Sequence, residues 1–432
     1  MDIETLYQLY RKHPIVTTDS RNCPAGSIFI ALKGASFNGN TFARQALEKG
    51  CAYAVVDEPE YANDTQGRIL LTDNCLQTLQ LLARLHRRTL GTPIIGITGT
   101  NGKTTTKELT AAVLTRKYDL LYTQGNLNNQ IGVPLTLLRL RPEHELAIIE
   151  MGASHPGDID ELVHIAEPDY GLITNVGQAH LEGFGSFEGV VRTKGELYHF
   201  LQKRKGTRIF IHHENPFLKQ MAEELAQIEY GTENGLFVQG KSGACNPYLS
   251  FEWKRDTDPT WHKVQTKLIG GYNLENALAA VAIGSYFNVE PQQINEALET
   301  YVPQNNRSQL KGTGHNQLII DAYNANPTSM TAALENFRQL QASHKMVILA
   351  DMKELGNDSV ALHQQIADLV SECNFERVIL VGKEFQATHT SLQVVPDVES
   401  LISLLQQEPP EGYHILIKGS NSMKLPQAVE YL

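Results

Sequence analysis

Ile94-Ile-Gly-Ile-Thr-Gly-Thr-Asn-Gly-Lys-Thr-Thr-Thr106 is the stretch whose reading decides the fold. The β-branched run from Ile94 to Thr98 reads as a short buried strand, broken by Gly99-Thr-Asn-Gly102, and Lys103 reads as the start of a helix. Glycines in such a loop let successive backbone N–H groups converge on one point, and a helix N-terminus adds partial positive charge there. A lysine at position 103 can reach the outer phosphates of a nucleotide, and the Thr104 hydroxyl can ligate Mg²⁺. Strict phosphate-loop spacing asks for glycine at position 97, where this chain has Ile97, so the loop is a shortened variant. An ordinary Gly-rich strand-to-helix turn is the competing reading; Gly-Lys-Thr-Thr directly after a strand favours a nucleotide. Thr98, Gly99, Thr100, Asn101, Gly102, Lys103, Thr104 and Thr105 are therefore the candidate nucleotide-binding residues.

The rest of the chain sets bounds on that reading. At 432 residues it exceeds one ordinary core, and about two to three domains are expected. Net charge of −11 argues against a nucleic-acid platform, though not against anionic small molecules held by local N–H groups and single cations. No apolar run is long enough to span a membrane, and the Met-Asp-Ile-Glu-Thr start lacks a secretory pattern, so a cytoplasmic protein is expected. Cys23, Cys51, Cys75, Cys245 and Cys373 have no metal-site spacing and read as free thiols.

Outward from the loop, residues 1 to about 85 mix short strands and helices, with polar turns at Thr17-Thr-Asp-Ser-Arg21 and Lys33-Gly-Ala-Ser-Phe-Asn-Gly39. From 94 to about 305 strands and helices alternate, as a mostly parallel sheet requires. Leu146-Ala-Ile-Ile-Glu-Met151 ends in Glu150, and Tyr170-Gly-Leu-Ile-Thr-Asn-Val176 is followed by His180. Ligands of open α/β sheets gather at the carboxyl ends of strands, so Glu150 and His180 are candidates for metal ligation, with a structural or solvated role equally open. After a linker at Pro303-Gln-Asn-Asn306, a second α/β alternation begins, with strands near residues 318–322, 345–350, 377–381 and 414–418. Asp358-Ser359 reads as the N-cap of its middle helix. The expected fold is α/β in three domains: a small N-terminal α/β domain (1–88), a central mostly parallel phosphate-loop sheet (89–305), and a Rossmann-like doubly wound C-terminal domain (306–432).

Taken together, Thr98-Gly-Thr-Asn-Gly-Lys-Thr-Thr105, Asn175-Val-Gly-Gln-Ala-His-Leu-Glu182, Thr193-Lys-Gly-Glu196, Asn273-Leu-Glu-Asn276 and Asp321-Ala-Tyr-Asn-Ala-Asn-Pro327 resemble the Mur ligase family over nearly the whole chain. Three further stretches, Thr123-Gln-Gly-Asn-Leu-Asn-Asn-Gln-Ile-Gly132, Glu150-Met-Gly-Ala-Ser-His-Pro-Gly-Asp-Ile159 and Tyr323-Asn-Ala-Asn-Pro-Thr-Ser-Met330, look like the branch that adds D-alanyl-D-alanine to UDP-N-acetylmuramoyl-tripeptide. The resemblance implies an ATP-dependent, ADP-forming amide-bond ligase of peptidoglycan synthesis, working through an acyl phosphate and expected to be a monomer. It implies that Lys103 serves the phosphates, that Thr104 and Glu150 bind one Mg²⁺, and that His180 binds a second. Lys194 matches a position that family members carry as a carbamate, an anionic ligand; the plain alternative is a surface lysine. Asn273 and Asn276 match positions near adenine and ribose, while Arg307 and Asp321 would reach ATP from the third domain.

Ser20, Arg21 and Lys33 would hold the UDP end, Asn128 and Asn129 the sugar-peptide, and Asn324, Asn326 and Ser329 the incoming dipeptide. Tyr272 stands where the family often has His, and Asn421 where it often has Arg. A glutamate that often follows is absent or replaced by Pro426. A sibling ligase adding the third amino acid, a folylpolyglutamate synthase, and a nucleotide-gated regulatory protein that makes no amide bond are the alternatives. The sibling's Asp-Asn-Pro-Arg stretch is missing, and Asn324-Ala-Asn-Pro327 occupies its place.

Overall fold

The strand Ile94–Thr98 lies inside a nine-stranded sheet, flanked by Leu146–Glu150 on one side and Tyr170–Ile173 on the other. The computed structural model describes residues 1–63, 66–303 and 307–432, so most of the expected linker at 303–306 lies outside the described residues. All five residues of Ile94–Thr98 are buried, as are all five of Leu146–Glu150, which is why both read as apolar runs rather than alternating strands. From Ile94–Thr98 the chain runs to the edge strand Leu120–Tyr122, returns through Leu146–Glu150, then crosses to Tyr170–Ile173, Arg208–His212 and Gln227–Gly231. Strand order thus reverses beside the phosphate loop, and the crevice at such a reversal is where open α/β sheets bind ligands.

The expected strand–helix alternation does not continue to residue 305. Val238–Cys245, Tyr248–Arg255 and Asp258–Ile269 form an antiparallel meander on the far side of the same sheet. Its inward face buries Trp253, Phe251 and Val264 against the Ala-rich helix Asn273–Tyr286. Successive hairpin strands need no crossover helix, and the apolar alternation of Tyr248–Arg255 is the local mark of a half-buried strand.

Before this sheet stands a four-stranded parallel sheet, ordered Val16–Thr17, Ile28–Ile30, Tyr53–Val56, Ile69–Leu71. After it comes a six-stranded one, in which Gln317–Asp321, His414–Lys418, Lys345–Ala350, Arg377–Val381 and Gln393–Val395 run parallel and Gln309–Gly312 is an antiparallel edge. Asp358 does not cap the helix Ser359–Glu372 with its side chain. It closes the 3₁₀ turn Gly356–Asp358, so its backbone is helical rather than extended, and the Ser359 hydroxyl donates to Glu384 instead.

The apolar cores cross from one sheet to the next. Leu6, Tyr10 and Leu82 of the first unit pack with Val133, Leu137 and Ile159 of the second. The Tyr10 hydroxyl donates to the Leu138 carbonyl at 2.5 Å across that boundary. Leu181, Phe184 and Val190 of the second unit share a core with Leu334, Met352 and Leu355 of the third. Five free cysteines, none in a disulfide, match the thiol reading.

Helix Phe187–Gln202 carries Lys194 and lies across two central strands. A Cβ on Gly96 or Gly171 would come within 3.4 Å of the Leu197 side chain, so both glycines make room for it. Leu197 is fully buried. Leu197→Ala is expected to cost about 2–5 kcal/mol, read as a lower urea midpoint by far-UV circular dichroism. An unchanged midpoint would show that the helix is held elsewhere.

Candidate active site

The loop after Ile94–Thr98 is held open by its neighbours rather than by its own residues. The Asn101 N–H donates to Asn175 Oδ1 at 2.9 Å, and the Asn101 carbonyl accepts from Thr174 Oγ1 at 2.6 Å. Gly99 and Gly102 adopt φ of +141° and +80°. A Cβ at Gly99 would lie 2.0 Å from Thr174 Oγ1, and one at Gly102 2.4 Å from Asn276 Oδ1. Neither position tolerates a side chain. Helix Lys103–Leu114 then begins with no side-chain cap, and among the described residues the N–H groups at its start have no protein acceptor. Such a terminus suits an anion.

A cleft of about 850 Å³ opens in front of these groups. Thr100, Asn101, Gly102, Lys103, Thr104 and Thr105 line it, together with Asn128, Asn129, Glu150 and His180. Tyr272, Asn273 and Asn276 form another part of the wall, and Arg307, Asp321, Asn324 and Ser329 close it from the third sheet. Residues separated by more than two hundred positions thus share one cavity, at the carboxyl ends of both large sheets. The expected residues Thr98 and Gly99 sit just behind it. The Thr98 hydroxyl donates to the Met151 carbonyl at 2.7 Å, tying two strand ends together.

Lys103 Nζ folds back onto the carbonyls of Gly99 and Thr100 at 2.8 and 3.0 Å. Burial lowers its pKa to about 8, opposed by nearby Glu150 and helped by Arg307. Glu150 is 1% exposed. Its Oε1 accepts from Thr104 Oγ1 at 3.1 Å and Asn128 Nδ2 at 2.9 Å, while Oε2 has no hydrogen-bond partner among the described residues. Lys107 Nζ stands 3.8 Å from Oε2 and donates to the Thr123 carbonyl at 2.7 Å. An orphaned carboxylate oxygen beside a hydroxyl fits a hard divalent cation. No group of three or more His, Cys, Asp or Glu among the described residues could hold a metal alone, so such a cation would take its other ligands from phosphate and water.

His180 caps the short helix Leu181–Phe184 at φ +52°, and its Nδ1 pairs with Glu354 of the third sheet. Burial is the largest influence on its pKa and lowers it, against the pull of Glu354. Lys194 is not a surface lysine: it is 2% exposed, with Nζ 5.3 Å above the Phe184 ring. No hydrogen-bond acceptor or ion pair meets its ammonium among the described residues. Burial, with Lys103 nearby, pushes its pKa well below the usual lysine range.

Several expected site residues are occupied within the protein. Asn273 and Asn276 bond each other at 2.9 Å, and Asn276 Oδ1 accepts from Thr106 at 3.0 Å. Asn129 Oδ1 accepts from the N–H groups of Ile131 and Gly132. Asn326 and Ser329 form the capping box of helix Pro327–Gln339, and Asn326 Nδ2 reaches Asn101 Oδ1 at 2.8 Å. Asp321 pairs with Lys418 at 2.6 Å, and the Arg307 guanidinium stacks 3.8 Å from the Tyr323 ring centre. Ser20, Arg21 and Lys33 lie in the first unit, outside the cleft. There Arg21 forks onto Asp19, and Lys33 pairs with Asp57 and Glu58. Sequence reading missed Lys107, Asn175, Glu354 and Lys418. Lys107 stands one helical turn after Lys103, and Asn175 heads one of the stretches that carry the resemblance, but neither was given a role.

The Mur ligase middle-domain pattern matches residues 97–284, the Mur ligase glutamate ligase domain 306–421, and the Mur ligase catalytic domain 13–87. A Bacillus subtilis UDP-N-acetylmuramoyl-tripeptide–D-alanyl-D-alanine ligase is 35% identical, covering 96% of this chain and 92% of its own. The chain belongs to the Mur ligase family. A crystal structure of MurF from Acinetobacter baumannii covers 98% of this chain and 97% of its own, with TM-score 0.87 and 29% identity. A UDP-N-acetylmuramoyl-L-alanyl-D-glutamate–2,6-diaminopimelate ligase shares the fold at 15% identity and TM-score 0.54, covering 96% of this chain and 94% of its own. No helix among the described residues of this Mur ligase is long and apolar enough to cross a membrane.

The depressed Lys103 has a measurable consequence. Between about 8 and 10.5, its folded and ordinary values, the unfolded chain keeps a proton that the folded chain has lost. Stability from this group therefore rises with pH across that window and is lowest below it. In the nucleotide-free protein, Lys103→Ala should remove that rise. The melting temperature of the variant relative to wild type should fall steadily from pH 8 to 10.5. Parallel melting curves would contradict the assignment.

Proposed function

We propose that this chain joins D-alanyl-D-alanine to the terminal carboxylate of UDP-N-acetylmuramoyl-tripeptide, consuming ATP and releasing ADP and phosphate. It would act in the cytoplasm as a monomer, supplying a peptidoglycan precursor. The observation that carries this reading is one cleft walled by the phosphate loop, Glu150 and His180 on one side and by Arg307, Asp321 and Asn324 of the third sheet on the other. A simple nucleotide switch needs no such second wall, whereas a ligase must hold nucleotide, acid and amine together.

In this reading a substrate carboxylate oxygen attacks the γ-phosphorus, the bond to the β-phosphate oxygen breaks, and ADP leaves. The dipeptide amine then attacks the acyl carbon, the C–O bond to phosphate breaks, phosphate departs, and the amine gives up its proton. Lys103 and the free N–H groups at the start of its helix hold the phosphates and offset the charge that moves with the γ-phosphoryl group. Thr104 and Glu150 would hold one Mg²⁺, and His180 with a carbamoylated Lys194 a second. When bound, such ions would supply charge neutralisation during the transfer. Among the described residues Lys194 has no hydrogen-bond acceptor, and this with its lowered pKa favours the uncharged amine that adds to CO₂. Arg307 and Asp321 serve ATP, and Asn273 and Asn276 shape the wall near its base. Asn128 and Asn129 lie toward the sugar-peptide, and Asn324, Asn326 and Ser329 toward the dipeptide. Ser20, Arg21 and Lys33 would take the UDP end in the first of three domains, 1–88, 89–305 and 306–432.

The direct test is ADP release across a panel of UDP-sugar peptides, with single amino acids and dipeptides as amines. Release that needs both the tripeptide nucleotide and D-alanyl-D-alanine supports the reading; release without an amine makes the chain a switch. Lys194→Ala should nearly abolish turnover, and acetate or formate at high concentration should partly restore it by occupying the vacated space. A folded variant that no small carboxylate revives would remove the carbamate.

A further inference from the structure

The second wall of the cleft reaches His180 directly. Glu354 follows the third-sheet strand Lys345–Ala350 by a few residues, and its carboxylate pairs with His180 Nδ1 across 174 positions of sequence. Two further contacts fix this meeting. The Glu182 N–H donates to the Glu354 carbonyl at 3.2 Å, and a Cβ on Gly356 would lie 3.3 Å from Glu182 Cα. Beneath the pair, Leu181 and Phe184 share an apolar core with Met352 and Leu355. His180 and Glu354 are both non-glycine residues at positive φ, +52° and +64°. Left-handed backbone at such residues persists where the surroundings hold it, and it concentrates at functional sites.

We propose that Glu354 is the positioning residue for His180. By accepting Nδ1–H when the third sheet is docked, it fixes the imidazole tautomer and leaves the Nε2 lone pair free for a cation in the cleft. Cation binding on the central sheet then depends on docking of the third. This rests on the reading above, in which His180 holds a divalent ion. The chemistry is that of a carboxylate orienting a metal-bound histidine, where loss of the outer partner costs about 10–100-fold in metal affinity or activity. What distinguishes this case is that the carboxylate belongs to a different sheet from the histidine, so the pair exists only while the two are in contact. The side chain of Glu354 is 56% exposed, so its replacement leaves the apolar core beneath intact.

The test uses the full-length protein with a non-hydrolysable ATP analogue and the tripeptide nucleotide, with Mn²⁺ as the probe and free Mn²⁺ counted by electron paramagnetic resonance. Wild type should bind two Mn²⁺, one lost in His180→Ala. Glu354→Ala should weaken that same Mn²⁺ by about 10–100-fold and leave the other unchanged. Glu354→Gln, whose side-chain oxygen can accept the same proton, should weaken it less. Independently, ¹⁵N-labelled histidine in the metal-free protein should report one His180 tautomer in wild type and a mixture in Glu354→Ala. Wild-type Mn²⁺ affinity and an unchanged tautomer in Glu354→Ala would overturn the proposal. Two Mn²⁺ ions bound undiminished by His180→Ala would instead overturn the reading of His180 as a ligand, and the proposal with it.

Discussion

Everything in the cleft depends on how Asn101 is held. Its N–H and carbonyl are both taken by residues just past the neighbouring strand, Asn175 and Thr174, so the loop cannot fold over its own helix. Among the described residues that leaves the N–H groups at the start of helix Lys103–Leu114 without acceptors, a fixed patch of partial positive charge at the reversal point of the sheet. The loop is too short to make this shape alone, and it borrows rigidity from the next strand. Gly99 and Gly102 are the consequence, since the borrowed contacts leave no room for Cβ at either place.

The buried charges around the loop follow a single pattern. Lys107, Lys194 and Lys418 are each about 2% exposed or less, which is costly for cations unless something answers them. Lys418 has Asp321, and Lys107 has Glu108 and the Thr123 carbonyl. Lys194 meets the face of Phe184 and, among the described residues, no hydrogen-bond acceptor; burial penalises its charged form most plainly, against the pull of Asp158 and Glu196. Glu150 is the matching case among the acids, with one oxygen satisfied and the other left over. Glu150, half answered, lines the cleft, and Lys194 is unanswered though buried; the fully paired Lys418 and Lys107 hold the frame.

Much of this is legible in the sequence alone. Ile94–Thr98, Leu146–Glu150 and four of the five parallel strands of the third sheet, near 318, 345, 377 and 414, stand where apolar runs between turn residues put them, because buried parallel strands are continuous hydrophobic stretches. The antiparallel strands from Val238 to Ile269 were hidden, since lysines, glycines and serines on their open face dilute the pattern. Phosphate-loop chemistry was readable because its residues are consecutive. The roles expected of Asn273, Asn276, Asn326 and Ser329 came from the resemblance, and what sequence could not show is that each also bonds a neighbour within the protein. Glu354 could not be found at all, because its meaning comes only from a contact made across two sheets.

The third sheet makes a second such polar contact with the central one. Asn326 Nδ2 donates to Asn101 Oδ1, the side chain of the residue whose backbone holds the phosphate loop open, and Thr328 lies against Gly177. The third sheet therefore touches the central one at the loop that receives phosphate and again at His180, and both touches use polar side chains near the start of a third-sheet helix or turn. Apolar contact between Leu181, Phe184 and Leu355 supplies affinity without direction, since it is indifferent to small rotations. The two polar pairs supply the direction. A wall docked by packing alone could slide; one docked at Asn101 and His180 can sit only where Arg307 and Asp321 face the phosphate loop, the arrangement that transfer between nucleotide and acid requires.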